Sequence, residues 1–303
     1  MKNHIRSLVL PVAIVLGFLF HPFCGHLYVI VPGLVFTMLF LNYTAVDVRK
    51  MHLSWMDFWI ALFQAVMGIG IYLAGQMLGW NAGISEGMMI AIITPVAASV
   101  VVISCALGAN RERITTATIV NNLWIALLAP VLFSFIGKQQ NMPFLVSFWH
   151  IFRRIAPQIV FPFIVALFLQ HFLPKVNAAI SKIKWTSLYV WAFTLTIVLG
   201  KTFHDIITSP DPEWHLIGIA SILCVILCAI QFGLGKYIGH RLGDKIAGGQ
   251  TMGQKNTSFG IWMSVEYMTT SIAAIIPAIY SICQNLFNSY QMYIHDKHHE
   301  KET

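Results

Sequence analysis

The chain of 303 residues is 57% hydrophobic and only 10% charged, with a mean hydropathy of +0.71. A water-soluble domain carries about a quarter charged residues, so this composition excludes an ordinary soluble enzyme and points to a polytopic membrane protein. The formal net charge of +7 would suggest a nucleic-acid partner in a soluble chain; here the cations are placed as membrane topology places them, and no nucleic-acid partner is implied.

Apolar stretches long enough to span a bilayer as helix, about 17 to 25 residues, fall at residues 7–25, 28–46, 57–76, 85–107, 114–136, 150–173, 185–204, 214–236, 246–268 and 270–292. Continuous apolar runs predict an all-α fold of ten transmembrane helices, since barrel strands are shorter and alternate. The first run, Ser7 to Phe20 behind Lys2 and Arg6, shares features with a secretory signal peptide. The following HPFCGH offers no small-residue cleavage pattern, so the run reads as the first membrane helix.

With Lys2 and Arg6 inside and ten crossings, the cytoplasmic loops and tail hold 14 of the 19 cations. These are Lys2, Arg6, Arg49, Lys50, Arg111, Arg113, Lys175, Lys182, Lys184, Lys236, Arg241, Lys245, Lys297 and Lys301. The opposite side keeps Lys138, Arg153, Arg154 and Lys201, with the acids Asp211 and Glu213. Both termini are therefore expected in the cytoplasm, and the protein in the inner (plasma) membrane with the lipid bilayer around it.

Ten segments divide into two halves of five, residues 1–136 and 150–292, and an odd number of crossings forces the second half to enter from the opposite side. That is the inverted repeat of many secondary transporters, whose sites lie at the midplane where corresponding helices are broken. The third segment carries Gln64 in LFQAVMG. The fourth is interrupted at Thr94, Pro95 and Ser99, and the fifth carries Thr115, Thr116, Thr118, Asn121 and Asn122. The ninth contains GGQTMGQKNTSFG, with Thr251, Gln254, Lys255, Asn256 and Thr257.

A proline without its amide, or a glycine pair, weakens the helical ladder, and nearby amides and hydroxyls can satisfy the freed carbonyls. Isolated amides such as Asn121 and Asn122 equally suit helix-to-helix bonding. Gln284, Asn285 and Asn288 fall near the end of the tenth segment, where the membrane interface accounts for them, as it does for Glu266. Lys255 differs in kind: a full charge near the midplane costs several kcal/mol on insertion scales and is kept mainly when paired or functional. The five cysteines have no zinc or redox spacing, and no catalytic motif such as Gly-x-Ser-x-Gly or His-Glu-x-x-His appears.

The glutamine of LFQAVMG, the TPVAAS break followed by LGAN, and the GGQTMGQKNTSFG break resemble the third, fourth and ninth helices of the bile acid:sodium symporter family. The resemblance implies a core of helices 3–5 and 8–10, with broken helices 4 and 9 crossing, and a panel of helices 1, 2, 6 and 7. It implies uptake of organic anions, bile salts or smaller carboxylates and sulfonates, by alternating access and driven by sodium. Gln64, Thr118, Asn256 and Thr257 match positions of the family's sodium ligands. The family's ninth-helix glutamate falls at Thr251, however, and its ion-binding glutamine at Lys255; its fourth-helix serine-asparagine pair is absent, with Val100 and Val101 following Ser99.

An ammonium at a sodium site repels the ion and can fill its space. The expectation is a secondary transporter of a small organic anion in which Lys255 stands in for a sodium ion, bonded to Gln64 and to the carbonyls of the crossing. No cofactor is expected. Lys255 either exchanges a proton in each cycle or stays charged as a fixed counter-ion, so the candidate coupling ions are proton and sodium. A sodium-coupled symporter with an altered site, and a non-transporting sensor on the same scaffold, stand as alternatives. The candidate site is Gln64, Pro95, Ser99, Thr118, Asn121, Asn122, Thr251, Gln254, Lys255, Asn256 and Thr257.

Overall fold

The structure, a computed structural model, describes residues 12–46, 48–97, 99–139, 141–183, 186–208 and 214–302. Lys2, Arg6, Lys184, Asp211, Glu213 and the start of the first apolar run lie outside the described residues. Within them all extended regular structure is helical. Six helical stretches are long and apolar enough to cross a membrane: His21–Tyr43, Trp55–Met77, Arg111–Phe135, Phe144–Phe172, Trp214–Leu242 and Ile272–His295.

The first two expected segments are separated differently from what the sequence suggests. Residues 12–19 form α1, Phe20 interrupts it at φ −104° and ψ 18°, and His21–Leu27 (α2) continues through a 3-10 turn, Tyr28–Ile30, into Val31–Tyr43 (α3). The break lies at Phe20 and not at residues 26–27, because Pro22 and Pro32 each sit in the first turn of their helices, where a missing N–H costs nothing.

The following helices begin where a side chain caps them. Ser54 accepts from Met56 N at 3.1 Å and Asp57 accepts from Ser54 N at 2.9 Å, a capping box that starts α4, Trp55–Met77. Asn81 caps α5, Ala82–Ile93, which is followed by α6, Val100–Ala106. Asn110 caps α7, Arg111–Phe135. Then come α8, Phe144–Phe172, α9, Pro174–Lys182, and α10, Ser187–Ile207. The last part holds α11, Trp214–Leu242, α12, Lys245–Gly253, α13, Thr257–Tyr267, and α14, Ile272–Glu302, with Asp244 capping α12 and Asn256 capping α13.

Thus the fourth and ninth apolar segments are each two helices with a break between them, as the sequence predicts. α4, α5 and α7 pack together with α11, α12 and α14, while α10 packs on α2 and α3, and α3 on α8. Between α11 and α12 the backbones touch: a Cβ on Gly248 would meet Gly239 Cα at 2.7 Å, so only glycine lets the two helices approach this closely. Exposed Phe58, Leu73, Phe161, Phe168, Ile222 and Val225 make the outer surface apolar, as lipid requires.

The two ends of the bundle differ. At one, Arg113 binds Asp57 at 2.6 Å and His52 O at 3.1 Å, and Asp244 accepts from Asn110 N at 3.1 Å. At the other, Lys138 donates to Val265 O at 2.7 Å, Thr269 Oγ1 to Glu86 at 2.8 Å and Tyr28 to Trp262 O at 3.3 Å, and Arg154 pairs with Glu266. Burial holds the Lys138 ammonium below the usual lysine range, opposed by the Glu86 carboxylate.

Candidate functional site

At the first break Thr94 turns out of α5 at φ −60° and ψ 135°, and at the second Gln254 leaves α12 at φ −99° and ψ 104°. Pro95 has no N–H to continue α5. The two extended pieces then satisfy one another. Val96 and Lys255 form an antiparallel bridge, Asn256 N donates to Pro95 O at 2.7 Å, and Ala97 N donates to Gln254 O at 3.1 Å. Two interrupted helices in mid-bundle thereby lose few backbone bonds, which is what makes such breaks tolerable at membrane depth.

Side-chain amides complete the junction. Gln64 Nε2 donates to Ile92 O at 2.7 Å and to Thr94 O at 3.4 Å, and its Oε1 accepts from Asn121 Nδ2 at 2.6 Å. Asn122 Oδ1 accepts from Val96 N at 2.9 Å. Gln284 takes both main-chain groups of Lys255, accepting from its N at 2.7 Å and donating to its O at 3.0 Å. Gln254 Nε2 donates to Ser99 Oγ at 3.0 Å, and Tyr280 to Gly253 O at 2.8 Å.

Gln64, Pro95, Ser99, Asn121, Asn122, Gln254, Lys255 and Asn256 are therefore joined around one crossing. Thr118 instead returns its hydroxyl to Ile114 O at 2.7 Å in its own helix. Thr251 lies buried in α12, and Thr257 opens α13; neither hydroxyl has a hydrogen-bond partner among the described residues.

Lys255 departs from expectation. Its side chain is 1% exposed, yet Nζ bonds neither Gln64 nor the carbonyls of the crossing and has no partner among the described residues. Gln64 is engaged on both sides, by Ile92 O and Asn121, and the crossing carbonyls Pro95 O and Gln254 O accept from backbone amides. Nor is there a counter-ion among the described residues. Every acid whose side chain is described is engaged elsewhere: Asp57 with Arg113, Glu86 with Thr269, Glu112 with Lys50 at 3.9 Å, Asp205 with Lys201, Asp244 with Asn110 N and Ala247 N, and Glu266 with Arg154. Gln254 Oε1, Asn121 Oδ1 and Asn256 Nδ2 are likewise buried and unpartnered among the described residues.

Sequence reasoning missed two contributors, Gln284 and Tyr43, and one buried amide in a neighbouring helix, Gln231. By sequence Gln284 falls near a helix end, but α14 runs to Glu302 and leaves it mid-helix, 4% exposed. Gln231 in α11 is fully buried with neither amide atom bonded among the described residues, beside Phe232, whose ring lies against Gly253. Tyr43 ends α3 and accepts from Asn122 Nδ2 at 3.0 Å. An amide or phenol in an apolar run was the only signal.

A cavity of about 210 Å³ lies beside the crossing, between the end of α3 and α7. Tyr43, Thr115, Thr118 and Asn122 line it, with Lys50 and Arg111 also on its wall. Asn122 thus faces the cavity and also holds Val96 at the bridge.

No curated protein matches the chain. A family model described as the Sodium Bile acid symporter family matches residues 6–209, two thirds of the chain, from before α1 to just after α10, so the break holding Lys255 lies beyond the matched stretch. This is a family of membrane transporters, not of enzymes, and its members reside in the bilayer. The chain belongs to the sodium bile acid symporter family.

Proposed function

We propose that the protein is a secondary transporter of a small organic anion, a carboxylate or sulfonate, and that Lys255 occupies the place of a coupling sodium ion. The observation that carries this is the buried Lys255 Nζ with no carboxylate partner among the described acids. An uncompensated charge in a dry interior is costly, and an anionic substrate arriving at the crossing would supply the missing negative charge. Sodium needs several oxygens, preferably including a carboxylate; here Thr251 stands where the family's glutamate falls, and Lys255 where its ion-binding glutamine falls.

Alternating access would move a core of α4–α7 and α11–α14 against a panel of α1–α3, α8 and α10, both termini lying in the cytoplasm. Paired contacts support two inverted halves. α4 packs on α5 as α11 packs on α12, α6 on α7 as α13 on α14, and α4 on α7 as α11 on α14. Asn122 takes the amide of Val96 as Gln284 takes that of Lys255. The cavity carries Lys50 and Arg111, on the side read as cytoplasmic, while Arg154 and Glu266 pair across the other end; this arrangement suits an inward-facing state.

A second reading, a sodium-coupled symporter with an altered site, is favoured by the unpartnered oxygens of Asn121, Thr251, Gln254 and Thr257, which could ligate a hard cation. A sensor that binds without transporting is separated from both by counterflow. Vesicles preloaded with unlabelled anion are expected to accumulate labelled cholate or benzoate transiently; binding without counterflow would contradict a transporter.

A further inference from the structure

Tyr43 is held from two sides without its hydroxyl hydrogen. Its ring packs edge-on against Phe163 of α8, centroids 5.4 Å apart at 74°, and its carbonyl accepts from Gln170 Nε2 at 3.1 Å. The phenolic oxygen accepts from Asn122 Nδ2 at 3.0 Å. A phenol has one hydrogen to donate as well, and among the described residues nothing takes it. Tyr43 is 4% exposed and lines the cavity that Lys50 and Arg111 also line. An unused donor fixed in such a wall suits an oxygen of a carboxylate or sulfonate, since hydrogen bonds to charged acceptors are the stronger ones.

We propose that Tyr43 is a substrate-binding residue that also couples occupancy of the cavity to the crossing. Its O–H donates to the anion's oxygen. A phenol that donates to an anion becomes a better acceptor, so the bond from Asn122 tightens, and with it the hold of Asn122 Oδ1 on Val96 N at 2.9 Å. Val96 is the bridge partner of Lys255. One continuous chain thus runs from the panel helix α3, through α7, to the residue paired with the buried ammonium. This rests on the anion-transporter reading and adds a specific residue to it.

The test uses the full chain in detergent, with cholate and benzoate as probes. Tyr43→Phe keeps the ring contact with Phe163 and removes only the hydroxyl; the affinity for the probe anion is expected to fall tenfold or more. In wild type, which needs no variant, hydrogen exchange at residues 94–97 is expected to slow when the probe is added, and in Tyr43→Phe to stay unchanged even at saturating probe. A purely structural Tyr43 would lower thermal stability without touching affinity or the exchange response. Equal affinity in Tyr43→Phe, or no slowing in wild type with probe bound, overturns the proposal alone. If neither probe binds wild type, the anion-transporter reading fails and takes this inference with it.

Discussion

Val96 and Lys255 form an antiparallel bridge between two helix breaks that lie in opposite halves of the chain. The main-chain N–H of each is taken by an amide oxygen from the next long helix of its half, Asn122 at 2.9 Å and Gln284 at 2.7 Å. The backbone pattern is nearly symmetric while the side chains are not: one is an isopropyl group and the other a buried lysine whose Nζ has no partner among the described residues. The proposed preference of the crossing for negative charge rests on that single asymmetry.

A charge held at the crossing costs stability. Lys255→Met, which fills a similar volume without charge, is expected to raise resistance to unfolding, on the order of 2.5–3.5 kcal/mol on insertion scales, and to abolish counterflow. Thermal and denaturant unfolding in detergent measure the first part. A Met variant less stable than wild type would mean that Lys255 is paired after all.

Gln284 should matter more than its neighbour. Gln284→Leu leaves the N–H of Lys255 unpaired, at about 1–3 kcal/mol, and its C=O with Thr257 N alone at 3.0 Å, whereas Asn285 only returns its amide to Ser281 O in its own helix at 2.6 Å. Gln284→Leu is expected to lower the midpoint of unfolding far more than Asn285→Leu. Equal losses would remove Gln284 from the crossing.

At the basic end, Arg113 and Asp57 form a largely buried ion pair, their side chains 16% and 4% exposed. Removing one partner of a buried pair costs about 3–5 kcal/mol because the other charge is stranded. Asp57→Asn alone is therefore expected to destabilise more than Asp57→Asn combined with Arg113→Gln. Additive losses in a double-mutant cycle would contradict this.

At the other end, Arg154 on α8 and Glu266 on α13 tie together helices assigned to the two moving parts. Glu266→Gln is expected to favour opening of that face. In a cysteine-free background, Thr118→Cys on the cavity wall should then react faster with a maleimide that cannot cross the membrane, applied from outside. Unchanged labelling would deny the pair a role as a latch.

The all-helical class and the two breaks were legible because composition and backbone chemistry impose them: apolar runs must be helical in lipid, and Pro95 and the glycines of GGQTMG weaken the ladder locally. Gln64, Asn122 and Lys255 were legible as polar groups costly to bury. Partners were not. Nothing in the sequence says that Gln64 bonds Ile92 O and Asn121 and not Lys255, since that depends on how α4, α5 and α7 pack. Gln284 was obscured by a helix running well past the apolar segment, and Tyr43 by looking like any aromatic near a membrane interface. The displaced first break, at Phe20, was hidden because proline in a first helical turn reads the same whether the chain bends there or continues.

The replacement of sodium by Lys255 is tested most directly by uptake of labelled anion into proteoliposomes under an inward sodium gradient, against the same gradient of choline. Equal uptake is expected in wild type, and in Lys255→Gln, where the family's own ligand type is restored, sodium is expected to stabilise the protein against heat. Wild-type uptake that rises with the sodium gradient would contradict the proposal.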